Sequence, residues 1–297
     1  SLNNSFEIDG NVVDAPEGIA HFLEHKLFES EEGGVFKKYS KLGASVNAYT
    51  NFNSTCYLFT CADNFQENFK ILIDFVQNPF LTKENVDKEK GIIEQEIRMY
   101  DDDPNWKVFF NGLRNAYFEH PVKIDIAGTV ESIYKITKET LELCYRSFYN
   151  AKNMVIIVVG DVDIDETIEI IENNQTEEFK TAKDINVIMP NEPKGVIKLR
   201  VEESLSVSTP LFNIIYKNNN KNLKSEGLLK EDIETRLILD LLFGNSSDFF
   251  SRLYEKGLIN DNFEYGYTYD TTYGHTVIGG ESKEPDKVYE LLKEEVS

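Results

Sequence analysis

The chain has 297 residues, of which 52 are acidic and 31 are basic, and its formal net charge is -21. Its content of 41% hydrophobic and 28% charged residues is typical of a soluble globular protein and excludes fibrous and disordered classes. The length allows two domains of about 150 residues each. An acidic surface repels phosphate backbones, so we expect no nucleic-acid partner. We expect no membrane partner either, because no apolar run approaches the ~20 residues of a membrane helix.

The cysteines indicate a reducing compartment. The chain has three cysteines, which are Cys56, Cys61 and Cys144. Their number is odd, and no two of them form a Cys-x-x-Cys pair. This pattern favours reduced, structural thiols. The segment from Ser1 to Gly10 lacks the apolar core of a secretory signal. The sequence therefore predicts a cytoplasmic protein.

The sequence of the first half predicts helices, one strand pair and one further strand. Asp14, Pro16 and Glu17 have the spacing of a helix start, which predicts a helix that begins after Asp14 and ends near Phe28. Strands are predicted at 43–50 and 54–62. The β-branched run at 153–160 predicts a buried strand. The further helices are predicted at 35–42, 65–77, 82–100 (with Thr82 as its cap), 107–117, 129–136, 137–148 and 164–172.

The second half follows a polar stretch with Asn and Pro at 175–194, which we interpret as the domain boundary. The two predicted domains are 1–180 and 190–297. Strand pairs mixed with helices, without strict βαβ alternation, predict an α+β fold. The predicted strands are 195–204, 209–217, 263–270 and 274–281, and the predicted helices are 228–243, 247–256 and one from Lys283 onwards.

Two of the four histidines lie in the segment His21-Phe22-Leu23-Glu24-His25. On a helix, positions i and i+4 share a face, so both imidazoles can reach one Zn²⁺ at about 2.0–2.1 Å. Glu24 follows His21 by three residues and projects toward the same face, where it can act as a general base on a water molecule. This order is the inverted His-x-x-Glu-His arrangement of some zinc peptidases. The alternative is a surface helix that carries two histidines by chance.

A catalytic zinc has a third protein ligand and an open fourth position. Glu89 and Glu96 are two helical turns apart and share a face, whereas Glu94 points elsewhere. We predict that Glu96 is the third metal ligand. We predict that Glu89 orients a histidine or the water molecule, with an ordinary solvated helix charge as the alternative.

These segments resemble the pitrilysin/insulinase family of zinc peptidases, the inverzincins. The matching segments are 18–28, 43–50, 89–96 and 153–160. The resemblance implies an α+β fold of tandem homologous domains, each a mostly antiparallel sheet packed with helices. Such a pair forms half of a clamshell that closes around a peptide. We expect a first strand before Ser1 and the rest of the second domain after Ser297.

Two further segments, 98–106 and 120–129, resemble a bacterial branch of this family that is associated with modification of elongation factor P. Members of that branch usually occur beside a second member without the metal motif, which implies a homologous subunit in a homo- or heterodimer. The family adds a substrate peptide to a sheet edge. By resemblance this edge is 45–49, with Asn47 and Ala48 closest to the scissile bond; ordinary strand residues are the alternative.

The second half departs from the family in one respect. Active members carry an Arg and a Tyr there, which stabilise the tetrahedral intermediate. The segment 251–254 matches the helix before that site, but the sequence then shortens at 255–259 and contains no Arg. Tyr265 or Tyr267 could replace the family's Tyr. His120 and His275 have no second ligand nearby in the sequence and are expected to be structural or surface residues.

These features predict a zinc-dependent endopeptidase that hydrolyses short or unfolded chains, with Zn²⁺ as cofactor and a peptide as partner. The alternative is a catalytically weak binding or assembly subunit, which the missing Arg favours. The intact set of His21, Glu24, His25 and Glu96 favours the enzyme.

Overall fold

The computed structural model describes residues 4–31, 33–181, 185–218 and 223–296. Residues 1–3 and 297, at the ends of the predicted domains, and residues 182–184, within the predicted boundary, lie outside the described residues. The chain divides into two compact units. The first unit is Ser1–Arg98 with Ile124–Ile188, and the second is Met99–Lys123 with Met189–Ser297.

The helices and strands alternate in small groups along the chain. In order, the elements are β1 (Ser5–Ile8), β2 (Asn11–Asp14), α1 (Ile19–Leu27), α2 (Val35–Lys41), β3 (Ser45–Thr50), β4 (Thr55–Thr60), α3 (Phe65–Gln77), α4 (Lys83–Asp101), α5 (Pro104–Ala116), a 3-10 turn (Pro121–Lys123), α6 (Val130–Tyr134), α7 (Lys138–Phe148), α8 (Ile164–Asn174), α9 (Glu177–Lys180), β5 (Asn186–Val187), β6 (Leu211–Lys217), α10 (Glu226–Phe243), α11 (Asp248–Glu255), β7 (Glu264–Tyr269), β8 (Gly274–Glu281) and α12 (Pro285–Glu295).

The strand pairs of the described residues are all antiparallel. In the first unit β1 lies between β2 and β5, and β3 pairs with β4. In the second unit β8 lies between β6 and β7. The β3–β4 register places Thr50 opposite Thr55 and Asn47 opposite Leu58. Across the described ranges, β3 pairs along one edge only, which leaves its other edge open.

The first predicted helix begins later than the sequence pattern indicated. Asp14 was predicted to cap it, but Asp14 ends strand β2, where it pairs with Ser5. Helix α1 begins at Ile19, and the residue before it is Gly18, with φ of 85° and no side-chain cap. The prediction was wrong because Asp14 takes part in the β1–β2 ladder, which the local pattern does not reveal.

Two predicted strands are not part of a sheet. Residues 153–160 and 195–204 form no ladder with the strands that the structure describes. Val155, Ile157 and Val159 are 84%, 81% and 92% exposed, so the first of these segments is not buried either. A β-branched run favours extended backbone, but a strand also needs a neighbour that supplies hydrogen bonds.

Each unit has its own apolar core. In the first unit, Leu27 at the end of α1 packs with Val35 and Tyr39 of α2 and with Phe75 and Val76 of α3. In the second unit, buried side chains of α10, α11 and α12 pack on β7 and β8; they include Phe243, Phe249, Leu253, Ile278 and Val288. No helix of the described residues is long and apolar enough to span a membrane.

Candidate metal centre

Helix α1 separates an apolar face from a face that carries imidazoles. Phe22, Leu23 and Leu27 are at most 2% exposed and hold the helix on the core of the first unit. Burial of each such side chain contributes about 1.5–3 kcal/mol. His21 and His25 lie on another face, with their ring centroids 4.6 Å apart. The core contacts of α1 therefore fix the direction in which the two imidazoles point.

Helix α4 contributes the glutamates of the candidate site. Thr82 and Asn85 exchange backbone-to-side-chain hydrogen bonds at its start, which confirms the predicted cap at Thr82. Its buried side chains are Val86, Glu89, Ile93 and Ile97, which share one stripe of the helix. Glu96 lies beside this stripe, and its side chain is 22% exposed.

His21, His25 and Glu96 form a group that could hold a metal ion, because one ligand atom from each lies within 4.8 Å of the others. Glu96 Oε1 is 3.6 Å from His21 Nε2, and Glu96 Oε2 is 3.6 Å from His25 Nε2. Two ligands that each lie about 2.1 Å from a tetrahedral zinc are about 3.4 Å apart. The donor set of two imidazoles and one carboxylate therefore fits zinc in chemistry and in spacing.

Glu24 lies beside this group without being part of it. Its carboxylate is almost buried, and the hydroxyl of Thr50 donates a hydrogen bond to Glu24 Oε2 at 2.5 Å. The Thr50 hydroxyl also lies 3.2 Å from the Thr55 hydroxyl, on the paired strand. One carboxylate oxygen is thus fixed by strand β3. Glu24 follows His21 by less than one helical turn, so it faces the space next to the imidazoles.

Glu89 contacts one of the two histidines. Glu89 Oε1 is 3.0 Å from His25 Nδ1, and Glu89 Oε2 is 3.6 Å from the ammonium of Lys26. An ionised carboxylate can only accept, so His25 Nδ1 donates to it, and in the neutral imidazole Nε2 is then the nitrogen that carries the lone pair toward Glu96. The open alternative for Glu89, a solvated charge, is wrong, because Glu89 is 5% exposed.

The two histidines differ in their electrostatic surroundings. Burial, together with the nearby His25, lowers the pKa of His21 to about 4. Burial alone would lower the pKa of His25, but its hydrogen bond to Glu89 and the charges of Glu89, Glu96 and Glu24 raise that pKa above its ordinary value. His21 Nδ1 is buried, and no hydrogen-bond partner for it lies among the described residues. His21 is thus a neutral imidazole that can donate a lone pair to a cation.

The two buried glutamates also differ. Burial raises the pKa of Glu24, although the hydrogen bond from Thr50 opposes this effect. Burial would also raise the pKa of Glu89, but the hydrogen bond with His25 and the charge of Lys26 lower it below its ordinary value. Glu24 therefore has the higher affinity for a proton, as a group that accepts and returns one requires.

The other residues that the sequence singled out are Glu94, Asn47, Ala48, Tyr265 and Tyr267. Glu94 faces away from the histidines and bonds Arg98 and Tyr134. Asn47 and Ala48 lie on strand β3, where the Ala48 N–H donates to Asn47 Oδ1 at 2.9 Å. In the second unit, Tyr265 and Tyr267 lie on strand β7.

The two tyrosines and the other two histidines have partners within the second unit. Tyr265 donates to Asp240 at 2.6 Å, and Tyr267 is 2% exposed. His120 and His275 are each 1% exposed, and burial lowers the pKa of each to about 4. These two histidines are buried members of the core of the second unit.

Sequence reasoning did not single out Thr50 or Lys26 as parts of the site. Thr50 is 26 residues from Glu24 and reaches it only because strand β3 packs on helix α1. Lys26 directly follows a predicted ligand, and a lysine inside an apolar helix face was a signal that could have found it.

Comparisons with known proteins identify the family. Residues 10–130 match the model described as insulinase (peptidase family M16), and residues 135–297 match the peptidase M16 inactive domain. The chain is 44% identical over 293 residues to the zinc protease YmfH of Bacillus subtilis, which covers 98% of this chain and 68% of that protein. A zinc protease of Rickettsia felis is 30% identical over 161 residues, which are 52% of this chain and 39% of that protein.

Solved structures agree with this assignment. An M16-like peptidase from Alicyclobacillus acidocaldarius has a TM-score of 0.96 and 42% identity, covering 99% of this chain and 70% of that chain. A protease from Helicobacter pylori has a TM-score of 0.78 at 22% identity, covering 94% of this chain and 70% of that chain, and shares the fold. The chain belongs to the insulinase family, peptidase family M16. It has the predicted α+β fold with two M16 domains, and its relatives are named zinc proteases.

Proposed function

We propose that this chain carries the metal-binding and proton-transferring part of a zinc metallopeptidase that hydrolyses short or unfolded peptides. The observation that carries the proposal is the convergence of His21, His25 and Glu96 on one point, with Glu24 beside it. The naming of the relatives as zinc proteases supports the choice of zinc. Because the chain spans 68% of YmfH, the activity of the whole protein belongs to the proposal.

In this proposal His21 and His25 hold zinc through Nε2, and Glu96 holds it through its carboxylate. When bound, zinc supplies a Lewis acid that polarises a peptide carbonyl and lowers the pKa of a water molecule. The Glu24 carboxylate takes a proton from the attacking water and returns it to the leaving amine. The Thr50 hydroxyl holds Glu24 Oε2, so the other oxygen, Oε1, is the one that faces the proton.

The substrate in this proposal binds as an added strand along β3. The open edge of β3 supports this idea, since an extended peptide can complete its hydrogen bonds there. The Ala48 N–H now donates to Asn47 Oδ1. A bound peptide would replace that local bond with one to its own carbonyl. Asn47 and Ala48 would then lie closest to the scissile bond.

The catalytically weak assembly subunit remains a second candidate. It is favoured by the match of residues 135–297 to a model described as an inactive domain. The proposed substitutes for the family's Tyr are also engaged in other hydrogen bonds, because Tyr265 donates to Asp240 and Tyr267 accepts from Asn218 Nδ2 at 2.9 Å.

A homologous partner subunit and a cytoplasmic location stay predictions. The three free cysteines support a reducing compartment.

The experiment that separates the two candidates compares the protein with its Glu24→Gln variant. We expect equal zinc content in both, and hydrolysis of an unfolded-peptide pool by the unmutated protein only. The loss should be about 10²–10⁴-fold, the range for removal of a general base. Zinc in both without cleavage of any peptide, also when a homologous subunit is added, would favour the assembly subunit instead.

A further inference from the structure

Lys26 is a fully buried lysine next to a candidate metal ligand. Its side chain is 0% exposed, and it lies on helix α1 between His25 and the buried Leu27. Transfer of an ammonium group from water into a protein interior is unfavourable unless the charge is paired and its N–H groups are bonded. A lysine at this position therefore needs compensating partners within the first unit.

The partners of Lys26 are two carboxylates and one carbonyl. The ammonium lies 2.7 Å from Glu29 Oε2 and 3.6 Å from Glu89 Oε2, and it donates to the Asn85 carbonyl at 3.2 Å. Glu29 and the Asn85 carbonyl lie within hydrogen-bond distance of the ammonium, and Glu89 forms an ion pair with it. Glu29 is partly exposed, whereas Glu89 is buried, so the Lys26–Glu89 pair is the one shielded from water.

The two oxygens of Glu89 have different partners. Oε2 faces Lys26, and Oε1 faces His25 Nδ1 at 3.0 Å. A carboxylate that is bound at one oxygen cannot rotate freely about its last torsion, so the ammonium of Lys26 also fixes the direction of Oε1. That direction decides which nitrogen of His25 carries the proton and which one keeps its lone pair.

We infer that Lys26 is a positioning residue for the candidate metal centre: by binding Glu89 Oε2 it holds Glu89 Oε1 on His25 Nδ1 and so aims His25 Nε2 at the metal. This inference rests on the proposed function, because it concerns the same metal. A methionine of similar length would fill the same space without the cost of a buried charge. Compared with methionine, the lysine adds its contacts with the two carboxylates and with the Asn85 carbonyl.

The test is the zinc dissociation constant, measured by competition with a chromogenic chelator for the unmutated chain, Lys26→Met, Glu89→Gln and the double variant. We expect each single variant to bind zinc about tenfold more weakly, the lower end of the range for residues that orient metal ligands. The double variant should bind no more weakly than Glu89→Gln, because both changes remove one shared interaction. A Lys26→Met affinity within about twofold of the unmutated chain would overturn the inference, as would losses that multiply in the double variant.

Two control variants test whether the effect of Lys26 on zinc affinity depends on its contact with Glu89. Lys90 follows Glu89 in sequence but pairs with Asp87 at 2.8 Å, so Lys90→Met removes the same charge without touching the proposed contact. Glu29→Gln removes the other partner of Lys26. We expect both to bind zinc like the unmutated chain. An equal weakening in either control would contradict the inference, because the effect would then not require Glu89.

Folding and the parent proposal are checked separately. Thermal unfolding of the zinc-free proteins shows whether Lys26→Met folds; if it does not, Lys26→Leu repeats the test with another apolar side chain that cannot donate to Glu89. Failure of the unmutated chain to bind zinc would refute the proposed metal site itself. Tight zinc binding by the unmutated chain and equally tight binding by the folded lysine variant would refute this inference alone.

Discussion

At the residue scale, the proposed base depends on a neighbouring hydroxyl. Thr50 donates to Glu24 Oε2 at 2.5 Å, so we expect Thr50→Val, which keeps the shape and removes the donor, to lower kcat about tenfold. This value corresponds to about 1.5 kcal/mol for a hydrogen bond to a charged group. KM and zinc content should stay unchanged, since Thr50 is not a proposed ligand. The measurement is steady-state peptide hydrolysis with zinc analysis of the same samples.

Thr50→Ser is the matched control for this change. It retains the hydroxyl and loses one methyl group, so kcat should return to within about threefold of the unmutated value. Equal kcat for Thr50→Val and the unmutated protein would show that the hydroxyl does not hold the base. Loss of zinc in Thr50→Val would show instead that the strand supports the ligands.

Part of the candidate site follows from sequence spacing and part does not. His21, Glu24 and His25 lie within one helical segment, so the helical period alone predicts that they share a side. Thr50 enters through packing between elements, which no local pattern encodes. The place of Lys26 in an apolar helix face is visible in the sequence, but its partners are not. Glu89 is intermediate, because its place on the buried stripe of α4 is visible in the sequence while its partner is not.

At the element scale, the position of helix α1 depends on two glycines at close approach. Gly18, with φ of 85°, lies so near Ala127 that an added Cβ would be 2.3 Å from the Ala127 carbonyl oxygen. Gly128, with φ of 77°, has the reciprocal contact with the Glu17 carbonyl. Backbone atoms on both sides cannot give way as a flexible side chain would. The start of α1 is therefore set by a backbone-to-backbone contact.

Gly18→Ala should destabilise the first unit. A side chain in the left-handed region costs about 1–3 kcal/mol, and the clash with Ala127 adds to this cost. We expect a loss of about 2–4 kcal/mol in the free energy of unfolding, measured by urea denaturation of the zinc-free protein. Gly91→Ala is the control, because this glycine lies inside α4 with open space around it. Gly91→Ala should raise the free energy of unfolding by about 0.5–1 kcal/mol. An unchanged free energy of unfolding in Gly18→Ala would contradict the proposed role of this contact.

The helices were predicted better than the strands. The helix at 65–77 was predicted with the bounds that the structure gives to α3, because its apolar period is strong and local. Strands β1 and β2 and the short β5 were not predicted, and 153–160 was predicted as a strand without forming one. A strand is defined by its pairing partner, and the sequence of a single segment does not show where that partner is.

At the scale of the whole molecule, the two compact units do not follow the order of the chain. Residues 99–123 group with the second unit rather than with the segments that flank them. The contacts are tertiary: Tyr117 donates to the Gly274 carbonyl at 2.8 Å, and Ile197 N–H donates to the Asn115 carbonyl at 2.8 Å. Such contacts join residues that are up to 157 positions apart, so composition along the chain does not indicate them.

The second unit also contains a carboxylate that should make its stability depend on pH. Glu192 accepts hydrogen bonds from the backbone N–H groups of Phe118, Glu119 and His120, and it pairs with Lys217. Burial opposes ionisation, but the Lys217 contact and these N–H groups lower the pKa of Glu192 to about 2. Because the folded state keeps the ionised form, stability from this group is present above its ordinary pKa and is lost as the pH falls toward 2.

Glu192→Gln should therefore destabilise the protein at pH 7 by about 2 kcal/mol, a value reduced to allow for solvent screening. The difference from the unmutated protein should shrink as the pH falls below about 4.5. Thermal unfolding at pH 7 and at the lowest pH at which the protein still folds measures both effects. Glu203→Gln, at a more exposed ion pair with Lys107, should change stability by less than about 1 kcal/mol. A pH-independent difference for Glu192→Gln would contradict the assignment.

The most direct test of the metal site compares two carboxylates of one helix. Glu96 lies 3.6 Å from an imidazole nitrogen of both His21 and His25, whereas Glu94 bonds Arg98 and Tyr134. The measurement is zinc per chain after dialysis against a weak chelator for the unmutated protein, Glu96→Gln and Glu94→Gln. We predict one zinc in the unmutated protein and in Glu94→Gln, and its loss from Glu96→Gln. Retention of zinc by Glu96→Gln, or its absence from the unmutated protein, would contradict the proposed centre.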